Sequence, residues 1–460
     1  MGKGQPHAEE PAGRVAARPD LVAVLLDPAT TRVSAGADLP PDALRAVAAL
    51  ARAAGVTLDG VPEAEGDAGP NDGALRVASV RVHRVVLPLR RLYVSAMYLT
   101  DRQPRALVEL RLRGGAVGWG ECPDAAAHLL PKAARAFLGA DLARGVAGPR
   151  GAFARIGFDN RDGRNGWAAL AAVEMAAWDA LARARGLPLA ALLGGAAARP
   201  LPVACPLPAA VPPRGATRAD LAPHMADRGN AARVADLALE MAERHGVAAF
   251  KYKSAGVDPE WDVACMTALR RALPDARMRF DPNAAYGTAA ACDLGARLHP
   301  LGLEFLEDPC DGIEGLARLA AALPEARIAT NMAVIEPPHL LAAHRRGLRC
   351  VVLGDPFLWG GLEGMREMAG AARLLGLTPA VHSFYESAVA TAAAAHLAAA
   401  LDLDRPHPVD CGVPGLAADV AEGVEVRGGM LRVPEGPGSA LAPDPARLGA
   451  GEPAVMEADR

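Results

Sequence analysis

Lys253, Asp281, Glu307, Asn331, Asp355 and His382 are six residues of types that bind metals or move protons, and they recur at intervals of 28, 26, 24, 24 and 27 residues. Each lies at the end of a short apolar run: AFKYK, MRFDP, LEFLEDP, IATN, VVLGDP and PAVHS. One strand, one helix and two loops take about that many residues, so a ring of βα units would bring all six side chains to one rim. Asp281, Glu307 and Asn331, ending successive strands, offer three hard oxygen ligands with room for water and substrate, a set that suits Mg²⁺. Singly, an Asp or Glu before Pro reads more readily as a helix N-cap or loop residue. The series carries the metal reading.

Lys251 and Lys253 stand two apart, so strand alternation sends both to one face. Crowding of the two cations beside a metal would lower a lysine pKa and make a usable base. Asp355 and His382 end neighbouring strands, which would let the carboxylate hold one imidazole nitrogen and leave the other for proton transfer. A lysine and a histidine facing each other across a divalent cation suit the removal of a proton next to a carboxylate through a metal-stabilised enediolate, with Lys251 adding positive charge.

The elements that must position these residues follow from periodicity. From about residue 201, strand and helix patterns alternate: strands at 201–205, 247–253, 276–282, 303–309, 327–331, 350–356, 377–383 and 407–411, with helices at 230–245, 259–273, 288–298, 313–323, 336–347, 361–375 and 386–401. This predicts a parallel sheet with right-handed crossovers, closed as a (β/α)8 barrel. A doubly wound open sheet would gather ligands at one switch point and does not account for functional residues on six strands. Upstream, 76–120 reads as β-rich and 125–198 as helical, with WAALAAVEMAAWDALARARG (167–186) the clearest helix. Residues 1–18 and 61–75 read as flexible. Between them, LVAVLL (21–26) is a strand candidate, and 42–55 has helical spacing and ends on Gly. After 412, GVEVRGGMLRVPEGPG reads as two short strands.

The chain's 460 residues are 51% hydrophobic with net charge −4, long enough for two or three domains. The basic residues do not cluster, so no nucleic-acid partner is expected. No apolar run approaches the roughly 20 residues of a membrane span, and the N-terminus lacks a signal-peptide core. Seven dispersed cysteines without a CxxC pair fit reduced thiols in a cytoplasm.

FKYK, RFDPNAAY, LEDPCDGIEG, IATNM, GDPFLWGGLEG and VHS, with the upstream VGWGEC and AAVEMAAWDALARARGLPLAALLGG, resemble the mandelate racemase-like part of the enolase superfamily over roughly 76–440. Asn331 in ATNM is most similar to the glucarate dehydratase group. The resemblance implies an α+β capping domain (76–200) before the barrel (201–411), a return to the cap (412–440), an N-terminal extension (1–75) and a tail (441–460), in a homo-oligomer. It implies Mg²⁺ on Asp281, Glu307 and Asn331, with Lys253 and His382 as bases and Asp355 as partner of His382. Lys251 and Asn283 would lie around the carboxylate of a small-molecule substrate. The implied reaction is loss of a β-hydroxyl from an acid sugar or hydroxy acid by a hydro-lyase. A racemase or epimerase on the same two bases, or a catalytically silent homologue with a binding role, are the alternatives.

The departures lie where substrate is selected. His382-Ser383-Phe384-Tyr385-Glu386 replaces HSNxH, and Val409-Asp410-Cys411-Gly412 replaces a DTH-like motif. LPVACPLPAAVPP lacks a Tyr, and the expected mobile cap loop, 92–104, lacks the family's His and Gly-rich run. Ser383, Phe384 and Tyr385 are the substrate-shell candidates, and the two aromatics point to a less polar substrate than a hexarate.

Overall fold

A computed structural model of the chain describes residues 24–25, 27, 30–34, 39, 41–59, 73–156, 163–195, 198–449 and 453–458. Its elements in chain order are β1 (Arg32–Ser34), α1 (Pro41–Ala54), β2 (Thr57–Asp59), β3 (Val77–Val94), β4 (Leu99–Leu112), β5 (Val117–Pro123), α2 (Leu130–Phe137), α3 (Ala147–Ile156), α4 (Arg164–Ala184) and α5 (Leu189–Leu192). There follow β6 (Leu201–Leu207), α6 (Arg218–Ala226), α7 (Ala232–His245), β7 (Ala249–Lys253), α8 (Pro259–Ala272), β8 (Arg277–Asp281), α9 (Thr288–Leu298), β9 (Phe305–Glu307), α10 (Gly312–Ala322), β10 (Ile328–Thr330) and α11 (Pro337–Arg345). The chain continues with β11 (Cys350–Gly354), α12 (Pro356–Trp359), α13 (Leu362–Leu374), β12 (Thr378–Val381), α14 (Ala388–Leu401), β13 (Val409–Asp410), β14 (Glu425–Arg427), β15 (Met430–Arg432) and β16 (Ala454–Glu457).

Strands β6 to β12 pair in sequence order, all parallel. β13 pairs in parallel with β6 and lies against β12, which closes the ring as the expected (β/α)8 barrel. The register sets Lys253 opposite Asp281 and Lys251 opposite Arg279. Along β7 the lysines face the interior while Tyr252 turns toward α8, as two-residue alternation requires. Within the ring, Phe305, Ala329, Val351, Leu353 and Ala380 form a small apolar cluster of their own. Apolar side chains fill such barrels in layers, leaving the strand ends for chemistry.

The cap is an antiparallel sheet in the order β16-β3-β4-β5, packed on the buried helix α4. Gly118 and Gly120 in β5 make that approach possible. A Cβ at either would lie 2.1 or 2.0 Å from the carbonyl oxygens of Ala176 and Ala172, so a larger residue would push the strand off the helix. Three buried cap carboxylates then reach other elements. Glu121 accepts from the backbone N–H of Ser387 at the start of α14. Glu174 accepts from Leu362 and Glu363 at the start of α13, at 2.8 and 2.9 Å. Asp179 accepts from the Ser439 N–H at 2.6 Å. The first two satisfy orphan N–H groups that every helix start carries.

Several expectations change. Val24 and Leu25 are helical, and the rest of 21–26 lies outside the described residues. So do residues 1–18 and most of 61–75, read above as flexible. The helix expected at 42–55 is α1, and within the extension it is not an appendage. It packs on α11 and α13 of the barrel, with Asp42 paired to Arg366 (2.9 Å) and Arg52 to Glu367 (3.1 Å). The segment 92–104, expected as a mobile cap loop, belongs to a β-hairpin formed by β3 and β4. Its turn is tied to the barrel, since Ala96 N–H donates to Ser254 O (2.8 Å) and Ala209 N–H donates to Val94 O (2.7 Å). The two strands after 412 pair with each other and with β6, so they brace the barrel, while Ala417 and Gly438 make the backbone bonds back to the cap. The segment expected as a tail contributes β16 to the cap sheet, paired with β3. Among the described residues no helix is long and apolar enough to cross a membrane, and all seven cysteines are free.

Candidate active site

The strand ends bring Lys251, Lys253, Asp281, Glu307, Asn331, Asp355 and His382 into one buried cluster, none more than 7% exposed. Lys253 Nζ donates to Asp281 Oδ2, and Lys251 Nζ donates to Asp410 Oδ2 and to Glu307 Oε1, the last at 3.0 Å. His382 Nε2 lies 3.8 Å from the same Glu307 oxygen, so Glu307 stands between Lys251 and the imidazole. Asn331 Nδ2 lies 3.1 Å from His382 Nε2. Asn283 takes a left-handed backbone (φ 51°), which turns its N–H onto Asp281 Oδ1 at 2.9 Å.

The donor set fits a hard divalent cation. Glu307 Oε2 and Asn331 Oδ1 are buried oxygens without a hydrogen-bond partner, an expensive arrangement unless something positive meets them. Glu307, His382 and Asp410 each place one ligand-type atom within 4.8 Å of the others. Burial and the neighbouring Asp281 charge push the Glu307 carboxyl well above the usual carboxylate range. Asp281 itself is held low, because the two lysines outweigh its burial. Two carboxylates that cannot both ionise comfortably are a place where a cation is favoured. The lysine expectation is corrected here. Burial lowers the pKa of Lys253, but Asp281 and Glu307 raise it more, so in this arrangement it is a firmly charged ion-pair partner. Burial and repulsion from Lys253 likewise lower the pKa of Lys251, but Asp410 and Glu307 outweigh them.

On the histidine side, His382 Nδ1 lies 3.6 Å from Asp355 Oδ2, an ion-pair distance but longer than a hydrogen bond. Asp355 Oδ1 meanwhile caps α12 by accepting from Leu358 N–H at 2.9 Å. The cap reading of an Asp before Pro thus holds for Asp355. Burial pushes the Asp355 carboxyl up to about 7 and the imidazole pKa well down, the latter aided by Lys251 and Lys253. Phe384 sets its ring edge-on to His382, centroids 4.5 Å apart, with Phe357 6.3 Å beyond. Its peptide is held at both ends: its N–H donates to Glu386 Oε2 (2.7 Å), and its carbonyl accepts from buried Arg105 of the cap. Ser383 Oγ spends itself on the same Glu386 carboxylate at 3.0 Å. Tyr385 is not brought to the cluster. Its positive φ of 57° reverses the chain, so the ring packs on Gly412, Gly415 and Tyr93, and the hydroxyl reaches Pro206 O.

Other residues of the cluster escaped the interval argument. Asp410, met above only as a departure from a motif, is the shared partner of Lys251 and of the fully buried Arg279, whose Nη1 donates to it at 2.6 Å. Asp308 accepts from the N–H groups of Asn331 (2.8 Å) and Met332 (3.2 Å), fixing the end of β10. Tyr93 of the cap hairpin is buried within reach of the charges of Lys251, Asp281, Glu307 and Asp410. Arg279 lies opposite Lys251 and two residues before Asp281, on the same inward face, and was open to discovery by that signal. The cap residues carry no such periodic mark.

A parallel eight-stranded barrel under an α+β cap, with carboxylates, an amide, lysines and a histidine at its strand ends, defines a class of cap-and-barrel enzymes. Comparison with known proteins makes the class specific. Residues 233–447 match the family model described as enolase C-terminal domain-like. Residues 77–194 match that of the mandelate racemase / muconate lactonizing enzyme N-terminal domain. The chain is 32% identical over 372 residues to a probable glucarate dehydratase of Streptomyces coelicolor, covering 75% of this chain and 84% of that one. It is 29% identical over 383 residues to muconate cycloisomerase 1 of Rhodococcus opacus, covering 79% and 95%. A crystal structure of an enolase from Thermobispora bispora complexed with magnesium and formate superposes with a TM-score of 0.71 at 29% identity, over 81% of this chain and 91% of that one. The chain belongs to the enolase superfamily.

Proposed function

We propose that this enzyme is a Mg²⁺-dependent hydro-lyase that takes the proton α to a carboxylate and expels a β-hydroxyl, on an acid sugar or hydroxy acid with a less polar body than a hexarate. The observation that carries the reading is the pair of buried, unpartnered oxygens, Glu307 Oε2 and Asn331 Oδ1, in a cluster bounded by Lys253 and His382. Asp281, Glu307 and Asn331 would hold the cation. When bound, it supplies a fixed positive charge against the negative charge that grows on the substrate carboxylate. Lys251 adds a second such charge and Asn283 helps to orient the carboxylate. In its neutral form, released from the Asp281 ion pair that holds it charged, Lys253 takes the α-proton at Nζ from one face. With the substrate's negative charge offsetting Lys251 and Lys253, His382 takes up a proton at Nε2, Asp355 behind Nδ1, and delivers it to the departing hydroxyl from the other face. Phe384 and Phe357 form an apolar wall beside His382, which favours a substrate with few hydroxyls on that side. The magnesium-bound structural relative and the glucarate dehydratase-like relative support the same reading.

The test is incubation in D₂O with Mg²⁺ of D-glucarate, tartrate and 2,3-dihydroxybutanoate, following α-deuterium and keto acid. Keto acid is expected from the dihydroxybutanoate, with little from glucarate. Lys253→Ala and His382→Ala should each lower turnover by about a hundredfold or more. Exchange without keto acid would convert the reading to epimerisation, and a glucarate rate matching the other acids would remove the altered-shell claim.

A further inference from the structure

The face of β7 turned away from the site carries a second constellation. Tyr252 and Ser254 alternate with Lys251 and Lys253, and both reach one buried carboxylate, Asp262 of α8, which is 1% exposed. Ser254 Oγ donates to Asp262 Oδ2 at 2.6 Å, and the Tyr252 hydroxyl lies 3.0 Å from Oδ1. A third hydroxyl, that of Tyr286 in the loop after β8, donates to Oδ2 at 2.6 Å. Tyr286 also bridges to Cys310 beyond β9. One carboxylate thus gathers the ends of the strands that carry Lys253 and Asp281, with the loop after Glu307 attached through Tyr286.

Ser254 is the inner link, and all its polar groups are engaged. Its N–H donates to Asp281 O (2.9 Å), and its carbonyl accepts from Ala96 of the cap hairpin (2.8 Å). Its hydroxyl accepts from Gly256 N–H (2.7 Å) while donating to Asp262. A fully buried serine bonded in four directions leaves the adjacent Lys253 little freedom in the placement of its Cα. Side chains that hold a reacting group through a locked neighbour are how such sites reach productive geometry.

We propose that Asp262 is a positioning residue for Lys253, acting through Ser254 on the back of β7. The proposal rests on the reading of Lys253 as a base only for what the positioning accomplishes.

Lysine itself supplies the readout. The chain has only four lysines, Lys3, Lys132, Lys251 and Lys253, so lysine-selective ¹⁵N labelling yields four ammonium signals, assignable with Lys→Arg variants. Asp262→Asn and Ser254→Ala should both shift the Lys253 Nζ signal and leave that of Lys132 in place, at temperatures well below each variant's melting point. Tyr286→Phe removes a bond of the same length to the same carboxylate but on the β8 side, and should leave the Lys253 signal near its wild-type position. With 2,3-dihydroxybutanoate as probe, Asp262→Asn and Ser254→Ala should lower kcat by about tenfold to a hundredfold with KM little changed. An unmoved Lys253 signal in folded Asp262→Asn would overturn the proposal, as would a Tyr286→Phe shift as large as that of Ser254→Ala. Failure of the base assignment is separate: it shows as full activity in Lys253→Ala, whatever the NMR signal does.

Discussion

Asn331 keeps one of its buried polar atoms without a partner. Its Nδ2 meets His382, its N–H meets Asp308, and its buried Oδ1 meets nothing. Mg²⁺ at about 100 times its Kd should therefore stabilise the protein by about 2.7 kcal/mol, read as a rise in thermal midpoint. Asn331→Leu and Glu307→Gln should abolish most of that rise, and a metal-induced shift surviving in both would refute the assigned ligands. At the same scale, Arg105→Met frees the Phe384 carbonyl and leaves Glu121 without its cation at 3.4 Å. KM should rise, with a smaller loss in kcat, because the wall beside His382 is loosened rather than the bases removed. Residues at strand ends were legible because a repeating βα unit imposes a repeating interval. Asp262 was not, because it works from a helix on the far side of a strand, and Arg105 was not, because its target is a carbonyl 279 positions away.

Helix starts are where cap and barrel elements lock together. Glu174 sits against Gly361, whose φ of 110° and lack of a Cβ both matter, since a Cβ there would lie 2.2 Å from Glu174 Oε2. Gly361→Ala should cost about 1 to 3 kcal/mol, seen as a lower urea midpoint. The carboxyl of Glu174 is raised by burial from 4.5 to about 7, so the folded protein holds this proton more tightly than the unfolded chain. Its contribution to stability is present below about pH 4.5 and is lost as pH rises through about 7. Glu174→Gln should flatten the fall in thermal midpoint across that interval. Glu121 has the same sign and window and will leave part of the slope in place. The barrel helices were readable from periodicity because most bury one face, and the barrel strands as short apolar runs because both their faces are buried. β3 and β4 lie in the stretch read as β-rich, but their continuation through 92–104 was missed because prolines and arginines interrupt the apolar pattern there and pairing between the strands defines it.

At the scale of the whole molecule, α1 belongs to the barrel wall. Leu50, 1% exposed, lies in the same core cluster as the barrel helices, so Leu50→Ala should cost about 2 to 5 kcal/mol. A value near zero would mean that the extension contributes no stability. The hairpin seated on the mouth has a consequence of a different kind, one of timing. With every acid, base and ligand side chain buried, and the hairpin turn bonded to the barrel from Ala96 to Ser254 and from Ala209 to Val94, we expect solutes to reach them when those bonds open. Substrate capture then depends on how often the hairpin lifts, and product escape on how soon it lifts again. Thickening the solvent with sucrose should slow turnover by slowing that motion, although no bond to the substrate has changed.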